Sequence, residues 1–503
     1  MLRKTRASLA IVCFLLFTLL FVDFTGILQV WFGWLAKIQF LPAVLALNVG
    51  VIILLIALTF VFGRIYCSVI CPLGIFQDIV ARAGRRKKKL PYTYSKQKNG
   101  LRYGIFAIFI VALILGVNVL VAFLDPYGIY GRISHYFFQP LWMEGNNLLA
   151  LAAQHMDSYA FYHVDVWIKS LPVFIVTAVM MFFIMSLAWK NGRTYCNTIC
   201  PVGTILGFMS RYSLFRICID KEKCNHCMVC SHNCKAACIN GAQSEVDNSR
   251  CVVCMDCIDK CKKKAISYRF AYARNKKSVT DVQPVEQTKD EERRSFLTGL
   301  LFLLTASIKA QVTDKTEKIK MDGGLTDIIN KKAPHRQTSI TPAGSQSAHN
   351  LQTHCTACQL CVSVCPNDVL RPSTSLDSFM QPTMSYERGY CRPECVICSE
   401  VCPTKAVLKI SQEQKSSIQI GHAVWVKENC IPITEKQACD NCARHCPVNA
   451  ISMIPSEAGN SDSLQIPAVN TERCIGCGAC ENLCPARPFS AIYVEGHQKH
   501  RII

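Results

Sequence analysis

Apolar residues gather in four stretches before residue 190, roughly Ala7–Val22, Pro42–Phe62, Tyr103–Leu124 and Leu171–Trp189. Each approaches the ~20 apolar residues that a membrane-spanning helix needs, the first only if it continues past Asp23. A buried core helix would explain any single stretch. Four in succession, almost free of charge, predict a membrane α-helical unit, a four-span bundle. Beyond them the pattern turns polar and cysteine-punctuated, which predicts α+β modules outside the bilayer.

Loop charges predict the orientation. Arg3, Lys4 and Arg6 precede the first stretch, and Arg82, Arg85, Arg86, Lys87, Lys88, Lys89, Lys96, Lys98 and Arg102 follow the second. The loop after the first stretch offers only Lys37. The loop after the third sets Arg132 and Lys169 against Asp125, Glu144, Asp157 and Asp165. By the positive-inside rule both ends of the bundle face the cytoplasm. The net charge of +20 is then largely a topology signal, and no nucleic-acid partner is expected.

The bundle carries an internal two-helix repeat. GRIYCSVICPLG (Gly63–Gly74) ends the second stretch and GRTYCNTICPVG (Gly192–Gly203) ends the fourth. If the backbone is helical there, each Cys-x3-Cys pair lies on one face. Cys67, Cys71, Cys196 and Cys200 could then converge on one four-thiolate site with a metal or redox role; structural thiols or a reversible dithiol are the alternatives. No histidine occurs in the four stretches, so haem b ligated within them is excluded. No Cys-x-x-Cys-His occurs either, which removes c-type haem, and no Gly-rich nucleotide fingerprint is present.

Composition sharpens this picture. Half the residues are hydrophobic and 18% are charged, which excludes a disordered chain. There are 31 cysteines, and long apolar spans beside repeated metal spacings argue against a disulfide scaffold. CNHCMVCSHNC (Cys224–Cys234) and CVVCMDCIDKC (Cys251–Cys261) have the spacing of the bacterial two-cluster ferredoxin. In that pattern one [4Fe–4S] cluster takes Cys224, Cys227, Cys230 and Cys261, and the other Cys251, Cys254, Cys257 and Cys234. Zinc competes for a lone CxxC but not for two full runs. Lys235 and Lys262 stand where proline usually follows the fourth cysteine. Cys238 is a rival ligand, and Cys218 is left over. Lys260, Lys262, Lys263, Lys264, Arg269, Arg274, Lys276 and Lys277 suit a cytoplasmic exit or an acidic electron-transfer partner.

A polar linker, Val279–Glu292, leads to Arg293-Arg294-Ser295-Phe296-Leu297 and an apolar run of about thirteen residues ending at Ala310. This is a Tat-like export signal, with a buried amphipathic segment as the alternative. Four further runs follow: Cys355–Pro366, Cys391–Pro403, Cys430 with Cys439–Pro447, and Cys474–Pro485. Their sixteen cysteines specify four more [4Fe–4S] clusters, making six in all. The expected domains are 1–215 (membrane unit), 216–275 (two-cluster module), 276–354 (linker, with the export segment at 293–310) and 355–503 (four-cluster module).

On these motifs the last module resembles the four-cluster G subunit of periplasmic nitrate reductase systems. The first 275 residues resemble its membrane partner, the H subunit, a quinol dehydrogenase, so the chain looks like a fusion of the two. The resemblance implies pairing of the first run with the fourth and the second with the third. One set is then Cys355, Cys358, Cys361 and Cys484, and another Cys474, Cys477, Cys480 and Cys365. The inner sets are Cys391, Cys395, Cys398 with Cys446, and Cys430, Cys439, Cys442 with Cys402. Sequential pairing is the alternative that spacing leaves open.

The resemblance further implies an iron–sulfur electron carrier in the bacterial inner membrane. It would oxidise quinol and serve a periplasmic reductase or that enzyme's electron-carrier subunit, with the last module periplasmic. Ferredoxin–quinone exchange in the cytoplasm, or metal-centre maturation or regulation, are the competing readings. A quinol ring could lie in the loop Asp125–Ser170, among Tyr127, Tyr130, Tyr136, Phe137, Trp142, Tyr162, Trp167, His135, His155 and His163; an interfacial aromatic belt explains the same residues.

Overall fold

The computed structural model describes residues 2–88, 91–158, 160–272, 320–321, 327–457, 460 and 463–503. The twin-arginine segment at 293–310 lies outside the described residues. The chain forms two compact units, one of Met1–Ala271 with Lys332–Ile503, the other Tyr272–Lys331. In the smaller, Lys320–Met321 pairs antiparallel with Asp327–Ile328.

Seven helices organise the first part of the larger unit: α1 (Leu2–Val22), α2 (Val49–Phe62), α3 (Pro72–Lys88), α4 (Asn99–Ile114), α5 (Pro126–Ile133), α6 (Leu171–Asn191) and α7 (Pro201–Ser210). Helix α1 does not pass Asp23. That carboxylate accepts the N–H groups of Thr25 (2.9 Å), Gly26 (3.2 Å) and Leu28 (2.8 Å), turning the chain where its apolar pattern stops. Helix α5 begins by the same chemistry: Asp125 accepts from the N–H of Gly128 at 2.8 Å, and Pro126 at the first position needs no partner.

Helices α1 and α6 are each 21 residues long and apolar enough to cross a membrane. The other two expected spans are interrupted. Phe40–Leu45 is separated from α2 at Leu47, whose φ is 51°, and α4 is separated from Asn118–Leu124 at Gly116, whose φ is 71°. A left-handed residue cannot continue an α-helix. Leu9, Val12 and Leu15 on α1, Ile53 and Leu54 on α2, Ile108 and Val111 on α4, and Val179 and Phe182 on α6 form an exposed apolar belt.

The two cysteine-rich modules pack at opposite ends of α1, a helix about 30 Å long at 1.5 Å per residue. Near its start Arg3 pairs with Asp256 (2.8 Å) and Asp259 (3.0 Å). Near its end the Phe21 ring packs on Gly131 of α5, which also touches the Cys358 carbonyl. The first module is closed by β1 (Phe215–Ile219) pairing antiparallel with β2 (Ile266–Phe270), Phe215 opposite Phe270. The second contains two longer antiparallel pairs, β3 (Ile418–Trp425) with β6 (Ile492–Ile502), and β4 (Ile451–Pro455) with β5 (Gln465–Val469).

The expected linker ends too late. Residues from Lys332 onward belong to the larger unit, because Arg336 donates to the Val494 carbonyl (2.8 Å) and the Thr338 N–H to Glu495 (2.6 Å). A helix, Ala348–His354, follows, its N-cap Ser347 accepting from the Asn350 N–H.

Candidate metal centres

The two repeats meet in one buried place. Cys67, Cys71, Cys196 and Cys200 are each 4% exposed and share a continuous core. The backbone between the cysteines of a pair is not the regular α-helix on which a shared face was conditional. In each repeat the backbone widens, the Cys71 N–H donating to the Tyr66 carbonyl (2.9 Å) and the Cys200 N–H to the Tyr195 carbonyl (3.0 Å). These five-residue bonds, followed by proline, swing the second cysteine in each motif out of helical register. Burial pushes the Cys71 thiol up, and neighbouring Cys196 and Cys67 add to it. Cys200 is raised by burial, then by Cys196, with Cys71 and Cys67 also acting. The four sulfurs therefore feel one another.

Arginines cross between the repeats. Arg64 of the first donates to the Cys196 carbonyl (3.1 Å), and Arg193 of the second donates to the Cys67 carbonyl (2.5 Å). Gly74 and Gly203 make this possible. A Cβ on Gly74 would stand 2.3 Å from the Cys67 carbonyl and 2.9 Å from Arg193; one on Gly203 would stand 2.1 Å from the Cys196 carbonyl and 2.8 Å from Arg64. The repeated Gly-Arg and Pro-x-Gly positions were visible in the motif; the exchange of partners was not.

In the first module Cys257 has Cys254, Cys251 and Cys234 as neighbours, as expected for one set. Cys230 has Cys224 and Cys227. The Cys238 thiol lies 3.4 Å from that of Cys234, so it remains beside the site, whereas Cys218 sits in β1 opposite Ser267. Lys235 has a structural use that proline lacks. It is buried, its ammonium reaching Asp78 (2.8 Å) and Asp256 (3.3 Å), while its carbonyl accepts from the Arg193 N–H (2.8 Å).

The four runs of the second module pair sequentially, which corrects the first-with-fourth expectation. Cys365 and Cys391, Cys395 and Cys398 line one cavity of about 30 Å³, with Lys415 donating to the Cys391 sulfur at 3.1 Å. Cys355 and Cys358 have Cys402 as neighbour; Cys430 and Cys442 have Cys484; Cys474 and Cys477 have Cys446. Cys361, Cys365, Cys391 and Cys398 pack on one core and the cysteines of the last two runs largely on another, with Cys355 and Cys402 together on a third. Among the described residues no three cysteine, histidine or acidic side chains stand close enough to share one metal ion.

The sets follow one another through the protein. The Cys391 N–H donates to the Cys477 carbonyl (3.0 Å), and Cys361 neighbours Cys398. Arg132 of α5 donates to the Ala357 carbonyl (3.1 Å). Buried Tyr127, Tyr66 and Tyr195 fill the core between Cys358 and the paired Cys-x3-Cys motifs.

The aromatic loop divides in two. Tyr127 and Tyr130 are core residues, whereas His135, Tyr136, Tyr162 and Trp167 line a cavity of about 170 Å³ together with Cys365 and Pro366. His135 is held by Gln139, which in turn donates to the Ser363 carbonyl (2.9 Å). Burial and nearby Lys169 push His135 down to about 3, so its ring is neutral at pH 7. Trp142, His155 and His163 are exposed and do not line this cavity.

Cysteine sets on short antiparallel sheets define an iron–sulfur protein of the bacterial-ferredoxin kind. The 4Fe-4S binding domain family matches residues 44–91 and 173–219, once per repeat; another 4Fe-4S binding domain family matches 352–371, and a 4Fe-4S dicluster family matches 437–487. The methylamine utilization ferredoxin-type protein MauM of Methylobacillus flagellatus is 31% identical over 31% of this chain and 68% of its own length. Ferredoxin-type protein NapF of Escherichia coli is 24% identical over 36% of this chain and all of its own length; NapG is 28% identical over 33% and 77%. The chain belongs to this family of Mau- and Nap-type ferredoxin proteins. No solved structure matches it.

Proposed function

We propose that this electron-transfer protein is anchored in the inner membrane by four spans, draws electrons from quinol and delivers them to a periplasmic reductase or its carrier subunit. The carrying observation is the cavity that brings His135, Tyr136 and Trp167 against Cys365. It lies at the end of α1, beside exposed Leu141 and Trp142, where a ring arriving from lipid would enter. Six [4Fe–4S] clusters held by the twenty-four module cysteines would supply one-electron redox chemistry to a two-electron donor. The residues themselves handle the ring and its protons. Neutral His135 is a hydrogen-bond acceptor for a quinol hydroxyl, and Asp165 in the cavity wall can relay its proton outward.

The apolar belt supports membrane anchoring, and the modules at opposite ends of α1 support placing the first in the cytoplasm and the second in the periplasm. Exposed Cys227, in a module rich in lysine, favours a second reading in which a soluble ferredoxin exchanges electrons there.

The test uses the full chain in lipid nanodiscs under anaerobic conditions, with duroquinol as donor and cluster absorbance as readout. Wild type should be reduced, and His135→Leu should slow reduction at least tenfold with iron content unchanged. Reduction by dithionite but never by duroquinol would sink the quinol reading; reduction by soluble ferredoxin alone would favour the second.

A further inference from the structure

We propose that Cys67, Cys71, Cys196 and Cys200 hold one iron–sulfur cluster between them, shared by the two repeats and joining the cysteine sets of the two modules. This goes beyond quinol oxidation and stands without it.

Three observations carry it. The first is position. One buried core contains Cys251, Cys254 and Cys257, the four repeat cysteines and Cys358. The structure ties this site directly to the first module, where Arg64 donates to the Ser249 carbonyl (3.2 Å) and Asn197 to the Ala236 carbonyl (3.1 Å). Toward the second it reaches the Leu124 carbonyl through Tyr195 (3.2 Å), at the foot of α5, whose Arg132 donates to the Ala357 carbonyl (3.1 Å).

The second is charge. Arg64 and Arg193 are both fully buried. Arg64 spends its recorded hydrogen bonds on Asn197, on two carbonyls and on a 3.9 Å contact with the Cys67 sulfur, all uncharged groups if the thiols are protonated. Asp78 must serve Arg193 (2.7 Å), Lys235 (2.8 Å) and Arg6 (3.9 Å) together. A buried guanidinium without a counter-charge is costly. Four protonated thiols leave that cost standing, whereas four thiolates on iron remove it.

The third is direction of donors. Gln77, from the first repeat, donates to the Cys196 sulfur of the second at 3.3 Å, and the Gly203 N–H donates to the Cys200 sulfur at 3.4 Å. Donors aimed at sulfur stabilise thiolate and tune a cluster's potential. Sharing across repeats explains why each repeat places its arginine on the other's cysteine carbonyl, which separate sites would not require.

The experiment is iron, acid-labile sulfide and zinc analysis of the anaerobically purified full chain, with electron paramagnetic resonance. Cys67→Ser with Cys196→Ser should lose two or four irons and matching sulfide while the module signals persist. Unchanged iron and sulfide, or one zinc per chain, overturns the proposal. Should that variant fail to fold, Gln77→Leu provides an independent reading: one signal in a redox titration should move to lower potential while the others stay. If no signal moves, the shared cluster is rejected. Neither result depends on quinol, so a chain carrying this cluster but inert to duroquinol loses only the earlier proposal.

Discussion

The seams that fasten the two modules to the helices share close backbone packing and differ in how much charge they add to it. The first combines charge with close backbone approach, a Cβ at Gly192 standing 2.3 Å from the Lys235 carbonyl and one at Gly207 2.5 Å from the Ser249 carbonyl. Arg3 reaches Asp256 and Asp259, and Asp78 on α3 gathers Arg193, Lys235 and Arg6. The second relies on close backbone approach with little charge. On α5, a Cβ at Gly131 would lie 2.4 Å from the Cys358 carbonyl, and one at Gly128 would lie 2.8 Å from the Thr356 carbonyl. Arg132, Gln139 and Lys169 donate to the carbonyls of Ala357 (3.1 Å), Ser363 (2.9 Å) and Val362 (2.8 Å), and Lys169 adds one ion pair to Asp368. A buried ionic contact fails when one charge is removed; a backbone contact fails when any side chain is added. The two seams should therefore break under different substitutions.

The largest effect is expected at Asp78. Removing one member of a buried ion network leaves the others uncompensated, at a cost of about 3–5 kcal/mol. Asp78→Asn should therefore speed amide exchange through residues 232–238 and leave residues 355–365 protected. Equal exposure of both segments would mean that the seams are one cooperative unit. The acid response follows with a definite sign. Burial alone would raise the Asp78 carboxyl, but Arg193 and Lys235 hold it well below the usual carboxylate range. Its contribution is complete above the unfolded carboxylate value of about 3.9 and is lost only as pH falls through the lower folded value. Thermal unfolding of the wild type should thus keep this contribution down to pH 4.

Gly131→Val should do the reverse. The added carbons meet the Cys358 carbonyl and the Phe21 ring, an overpacking that costs roughly 1–3 kcal/mol. Exchange should rise across 355–365 with 232–238 unchanged. Parallel loss of the resonance signal of the Cys355, Cys358, Cys361 and Cys402 set would show that the seam also protects that site.

Which features were readable follows from their range. Cysteine runs declare themselves because their ligands lie a few residues apart, and Lys235 announced an anomaly by standing where proline was expected. Its partner Asp78 lies on α3, far away along the chain, and nothing local links them. Likewise Gly128 and Gly131 look like ordinary glycines of a short helix until the loop at Cys358 arrives. Cluster pairing was open in the spacing, which fits either arrangement, and the first-with-fourth expectation rested on the resemblance alone; the decision lies in how the halves of the second module fold. The spans at Leu47 and Gly116 read as continuous because hydropathy is blind to φ, although Gly116 is where Thr353 comes to touch α4.

The smallest expected effect tests whether the first seam is ionic at its rim as well as its centre. Arg3 is 35% exposed along its side chain and Asp259 38%, so water screens this pair. Such surface pairs contribute about 0.2–1 kcal/mol. Raising salt from 0.1 to 1 M shortens the screening length from about 10 to 3 Å, which weakens rim pairs far more than buried ones. The wild type should show a slight salt-dependent rise in exchange at residues 256–261, and Arg3→Ala should abolish that dependence while leaving residues 232–238 protected. A strong salt response at 232–238 would mean that solvent reaches the Asp78 network. The ionic part of the first seam would then be a screened surface contact, and little beyond the glycine packing common to both seams would hold either module.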